Sequence, residues 1–146
     1  MTTKTPIEHM RATAAISIWI VRVAGTLQLV LGALFWTGHA YALLPVHIMS
    51  GVLIVLTLWA VAVLAIVARL RRGLAWFGLL WGVALPVFGM RQAAILPGSM
   101  HWIVRVVHLL MGLVAMALAA MLAQSIVAAG PGEVRAPARA PGSVRS

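Results

Sequence analysis

Four long apolar runs alternate with short polar breaks along the chain, and the pattern of those breaks predicts four helices. Spanning the hydrocarbon core of a bilayer takes roughly 20 apolar residues in a helix. Each run is about that long, so each is read as a membrane-spanning helix. The first is expected from about Ala14 to Trp36, interrupted by Arg22 and Gln28. The second starts near Pro45, since proline suits a first turn where its missing N–H has no helical partner, and runs to Ala68. The third covers about Leu74 to Ala94 with Pro86 as an expected kink, and the fourth about Met100 to Ala129. Three regions follow: a polar cytoplasmic segment over residues 1–13, a transmembrane domain over 14–129, and a basic tail over 130–146. The tail is rich in Pro, Ala, Gly and Arg, cannot bury a core, and is expected to be disordered.

Composition narrows the function classes. Of 146 residues 63% are hydrophobic and 9% charged, which leaves no room for a soluble catalytic domain. Any chemistry must therefore sit between helices or at their ends. Zero cysteines exclude disulfides, thiolate metal sites and covalent Cys-x-x-Cys-His haem attachment. The formal net charge of +9 resembles a nucleic-acid signature, but the basic residues gather at helix ends and in the tail, where membrane orientation explains them. No nucleic-acid partner is expected; the bilayer is the surrounding. Lys4, Arg11, the cluster Arg69, Arg71 and Arg72, and the tail arginines all fall on one side, so both termini are expected to face the cytoplasm. Trp36, Tyr41 and Trp102 then form an outer aromatic belt, with Trp19 and Trp76 nearer the inner one. A bacterial cytoplasmic membrane is the expected location.

The first helix pair also lies over the second. Gln28 to Gly32 aligns with Leu85 to Gly89, and Val46 to Gly51 with Val107 to Gly112. The predicted fold is thus all-α: a transmembrane four-helix bundle of two helix hairpins related as parallel repeats. Each repeat carries a His-x-x-x-Gly element, His47 to Gly51 and His108 to Gly112. Histidine inside hydrocarbon marks a functional site, and two at matched depth on opposed helices have the arrangement that a bis-histidine haem b needs. Residue i+4 lies on the same helix face one turn along, so Gly51 and Gly112 are expected to clear flat space for a porphyrin. Gly32 and Gly89 would let its edges approach the other two helices. Ordinary helix-to-helix hydrogen bonding or a proton path is the competing reading of the histidines, and close packing that of the glycines.

Each repeat has a second histidine, His39 and His101. His101 and His108 are seven residues apart, roughly 10 Å along one face, too close for two stacked haems, so one haem per chain is expected. His39 and His101 are read as propionate partners or interfacial residues. Arg91 and Arg105 lie near the outer ends of their helices, where bidentate pairing with haem carboxylates suits arginine; snorkelling toward headgroups is the competing reading, and it is the reading of inner-leaflet Arg22. The methionines Met49, Met90, Met111, Met116 and Met121 are dispersed. They read as packing rather than as a copper site.

At the paired motifs around His47 and His108 the chain resembles small four-helix membrane b-type cytochromes, and it resembles one half of haem A synthase, a four-helix unit with histidines on its second and fourth helices. The resemblance implies axial ligation by His47 and His108. The Glu-x-x-His-Arg element of the synthase is missing, which sets the chain apart from that enzyme's oxidation chemistry. A haem b protein passing single electrons near the outer face is the expectation, between a quinone and an external acceptor or a partner subunit. Quinone or superoxide oxidoreduction is its enzymatic version, and homo-oligomerisation is compatible with so small a bundle. The alternative is a cofactor-free four-helix transporter or assembly subunit.

Overall fold

The computed structural model describes residues 5–129; the expected disordered tail over 130–146 lies outside them, as do the first four residues. Four helices long and apolar enough to cross a membrane make up the described chain, which has no strand. They are α1 (Pro6–Trp36), α2 (Leu44–Val67), α3 (Arg72–Arg91) and α4 (His101–Ala128), with short 3-10 turns at Tyr41–Leu43 and Gln92–Ala94.

Helix α1 starts eight residues before its apolar run does. Extended Thr5 precedes Pro6, and the Thr5 backbone N–H donates to the Glu8 carboxylate at 2.6 Å. That contact satisfies an amide that the turn would leave free, so two polar turns form where hydropathy alone shows none. The helix ends in a Schellman turn: the Gly38 N–H donates to Phe35 O and the His39 N–H to Leu34 O, with Gly38 at φ 82°. Helix α2 ends the same way through Arg69 and Leu70. There Arg69, at φ 60°, takes the left-handed position that glycine fills more easily. Pro86 does not end α3, which continues to Arg91. The missing proline N–H takes the helical donor from the Gly82 carbonyl, and the helix tightens to a 3-10 turn only at Gln92–Ala94.

Short connections make the bundle run up, down, up, down. Helix α1 packs on α2 and α4, α3 packs on the same two, and α2 meets α4 across the middle. The two histidine-bearing helices are therefore the central pair. Leu58, Val61 and Leu122 are fully buried among the small residues Ala62, Ala65, Ala75, Ala115, Ala119 and Ala123. Small side chains let helix backbones approach closely, the main source of attraction between helices in lipid.

Packing is uneven along the bundle axis. Buried positions crowd the half nearer the arginine-rich connection between α2 and α3, whereas no α4 residue between Val104 and Ala115 is buried. His108 lies inside that loosely packed stretch.

Candidate functional site

His47 sits in the first turn of α2 and His108 two turns into α4, and the antiparallel hairpins bring both to the same end of the bundle. Their ring centroids are 6.5 Å apart, with the planes inclined at 48°. Two imidazoles gripping one metal from opposite sides, at about 2.0–2.1 Å per nitrogen, have centroids roughly 6–6.5 Å apart. The ring centres of the pair are thus no farther apart than those of two imidazoles that share one metal ion. Both Nδ1 atoms are buried and have no hydrogen-bond partner. Buried polar atoms are almost always satisfied, so two such orphans side by side mark a place where the protein's own groups do not complete the contacts.

The rings are held by aromatic walls and by the backbone. The Phe35 ring meets His47 edge-on at 5.3 Å, and Phe88 stacks on His108 at 6.1 Å with a 13° interplanar angle. Tyr41 stacks on Phe35 at 5.8 Å and closes the connection over it. The Gln28 side-chain amide donates from α1 to the His47 carbonyl at 2.7 Å, and the Ser50 hydroxyl donates to the carbonyls of Val46 and His47. On the α4 side the Trp81 indole N–H donates from α3 to the Met111 carbonyl at 3.0 Å. Each histidine-bearing helix is thereby tied to its hairpin partner within a turn of its histidine.

The four candidate glycines divide differently from the sequence expectation. A Cβ at Gly89 would stand 3.0 Å from His108 Cε1, so Gly89 is what lets the α3 backbone approach that ring. Gly51 does not face open space: a Cβ there would be 2.7 Å from the Gln28 amide nitrogen. The role expected of Gly51, clearing room for a ring, is corrected to admitting the Gln28 side chain. Its helix face follows from periodicity, but the neighbour on that face does not. A Cβ at Gly32 or Gly112 would meet nothing within 4 Å, although both residues are half-buried. They open onto unfilled space.

The outlying candidates are placed less centrally. His39 is exposed, with its Nδ1 3.1 Å from the Thr37 hydroxyl, and half-buried His101 has its Nδ1 3.3 Å from the Ile95 carbonyl. Arg91 and Arg105 are exposed, with Arg105 three residues before His108 on α4. Among the described residues no group of three or more His, Cys, Asp or Glu is assembled to hold a metal. Phe35, Phe88 and Trp81 escaped the sequence reading. Phe88 directly precedes Gly89 in the aligned repeat, a signal that a search for apolar walls beside the motif would catch.

Gln28→Leu should lower the stability of the bundle by about 1 kcal/mol, the scale of one interhelical hydrogen bond in a membrane protein. Unfolding in mixed micelles measures it, and an unchanged transition would mean that the Gln28 bond to α2 contributes nothing. Compared with protein-family models, with characterised proteins and with solved structures, the chain matches none.

Proposed function

We propose that this chain is a membrane-embedded haem b protein in which His47 and His108 are the two axial ligands, and that it transfers single electrons. The observation that carries this reading is the pair itself: two imidazoles 6.5 Å apart whose buried Nδ1 atoms have no partner. Two further features support it. A Cβ at Gly32 or Gly112 meets no neighbour, and α4 is unburied around His108, so the histidine end of the bundle is the loosely packed one. With only two protein ligands assembled, a metal there needs its other positions filled from outside the chain, as the four nitrogens of a porphyrin do.

Bound haem supplies a one-electron iron couple. The chain's residues do the rest. His47 and His108 would both hold the haem iron, which would favour electron transfer over oxygen binding because no ligand position would be left open. Phe35 and Phe88 wall the imidazoles with apolar surface and keep water from them. Arg105, Arg91, His101 and His39 lie toward the same end of the bundle and supply donors for carboxylates there. In this reading Lys4, Arg11 and the Arg69 to Arg72 connection put both termini in the cytoplasm and the histidine end outside, in a bacterial cytoplasmic membrane. The two hairpins are parallel repeats, each setting a phenylalanine of its first helix against the histidine of its second. The electron partners are a quinone, superoxide or a neighbouring redox subunit, and the resemblance to small membrane b-type cytochromes and to half of haem A synthase fits the ligand pair.

Arg105→Leu tests the placement of the carboxylates. A cation near the iron favours the reduced form, so its removal should lower the midpoint potential or loosen haem retention. Redox titration and haem content together read this; if neither moves, Arg105 does not serve the cofactor.

A further inference from the structure

Among the described residues Arg22 is the one charged residue that the bundle places well inside a spanning segment and on its outer surface. It stands 8 residues from Ala14, where the apolar run begins, and 14 from Trp36, about 12 Å and 21 Å along the helix. The contact between Gln28 and His47 fixes the antiparallel register with α2. Six residues along, Arg22 lies level with about Leu53, 9 residues from Leu44 and 14 from Val67. The two measures place it on either side of the midpoint and within about 5 Å of it, in a hydrocarbon layer about 30 Å thick.

The residue is exposed, and its guanidinium lies over the Trp19 ring at 5.2 Å. That contact uses the guanidinium face and leaves its five N–H donors to be met elsewhere. Around it Val23, Thr26, Leu27 and Val30 of the same helix make an open, mostly apolar face. Trp19, Val23, Leu27 and Val30 are each more than a third exposed and recur at intervals of three and four, the spacing of a helix-docking seam. The Thr26 hydroxyl is already committed to the Arg22 carbonyl at 2.8 Å.

A charge at this depth is expensive and pairs with an opposite charge or a polar interior. The whole sequence holds two acidic residues, Glu8 and Glu133. Glu8 is 14 residues away on the same helix, about 21 Å, and Glu133 follows the last span. A second copy of this chain would therefore bring another arginine and no carboxylate. Headgroup phosphate lies about 20 Å from the bilayer midplane and so about 15 Å from Arg22, and an arginine side chain covers no more than about half of that.

We propose that the outer face of α1 around Arg22 docks a spanning helix of a different polypeptide, one that carries an aspartate or glutamate at mid-membrane depth. The partner's carboxylate accepts the bidentate arginine contact, while its apolar side chains fill the seam between Trp19 and Val30. The inference stands apart from the cofactor reading, since the interface can be scored whether or not haem is bound.

The test places a genetically encoded benzophenone amino acid at position 26 of the full chain, expressed in the membranes of its own organism, with the same label at exposed Val87 on α3 as the control face. Irradiation should give one polypeptide adduct from position 26, whose attached segment, read by mass spectrometry, is a spanning helix containing Asp or Glu. Arg22→Gln should reduce its yield about tenfold or more, as expected for loss of a charge-assisted pair, with helicity by circular dichroism unchanged. If Arg22→Gln fails to insert, the attached segment from the unsubstituted protein still decides. Adducts to lipid alone, to a second copy, or to a helix without an acidic residue would each overturn the proposal. So would an adduct indifferent to a folded Arg22→Gln variant.

Discussion

Replacing either His47 or His108 with alanine is expected to abolish the low-spin haem that the proposed ligation requires. Loss of an outer-shell partner at a metal site typically costs 10–100-fold in affinity, so loss of an axial ligand should lower haem retention by roughly tenfold or more. The two substitutions should not add. Either one removes six-coordination, and the double variant has no further low-spin signal to lose. The helices should stay assembled in all three variants, because the tight core of Leu58, Val61 and Leu122 lies in the other half of the bundle. Haem content and visible spectra, beside helicity from circular dichroism, separate these effects. Wild-type haem content in both single variants would remove the ligand assignment.

Glycine substitutions on two helices should part stability from cofactor retention. Gly82 is buried, and a Cβ there falls on the Trp59 indole nitrogen, whose N–H donates to the Leu79 carbonyl at 3.1 Å. Gly82→Leu has to displace that indole, adding overpacking to a lost hydrogen bond. The expected destabilisation is about 2–4 kcal/mol. At Gly112 a Cβ meets nothing within 4 Å, so Gly112→Leu starts from open space and should cost the haem-free bundle far less than Gly82→Leu. The same leucine stands one turn from His108 in the space read as the cofactor's, so haem content should fall steeply. Unfolding in mixed micelles and haem quantification on both variants give the comparison. A Gly112→Leu protein with full haem content would show that the open space at Gly112 is not used.

Much of this arrangement can be read from the residues, because lipid imposes a simple demand on them. Every spanning backbone must satisfy its own polar groups, so long apolar runs can only be helices, and the bounds of α2 and α4 lie within a residue of those expected. Pro86 was expected to kink α3, and the helix runs through it to Arg91. The start of α1 is hidden from hydropathy because the Thr5 and Glu8 contact, rather than apolar burial, sets it. The meeting of His47 and His108 follows from matched positions in two hairpins. What fills the space around them does not. Periodicity assigns Gly51 to a face, yet only the packed helices show that Gln28 occupies it. Phe35 and Phe88 carry no motif of their own and become visible as ring walls only once the hairpins close. The open surroundings of Gly112 depend likewise on three other helices.

The most direct test of haem ligation is the dithionite-reduced minus air-oxidised visible spectrum of the detergent-purified protein, with haem quantified as the pyridine haemochrome. Ligation by the histidine pair predicts sharp low-spin b-type bands and close to one haem per chain. A colourless protein after expression with ample haem would contradict it and turn attention to a cofactor-free transporter or assembly subunit.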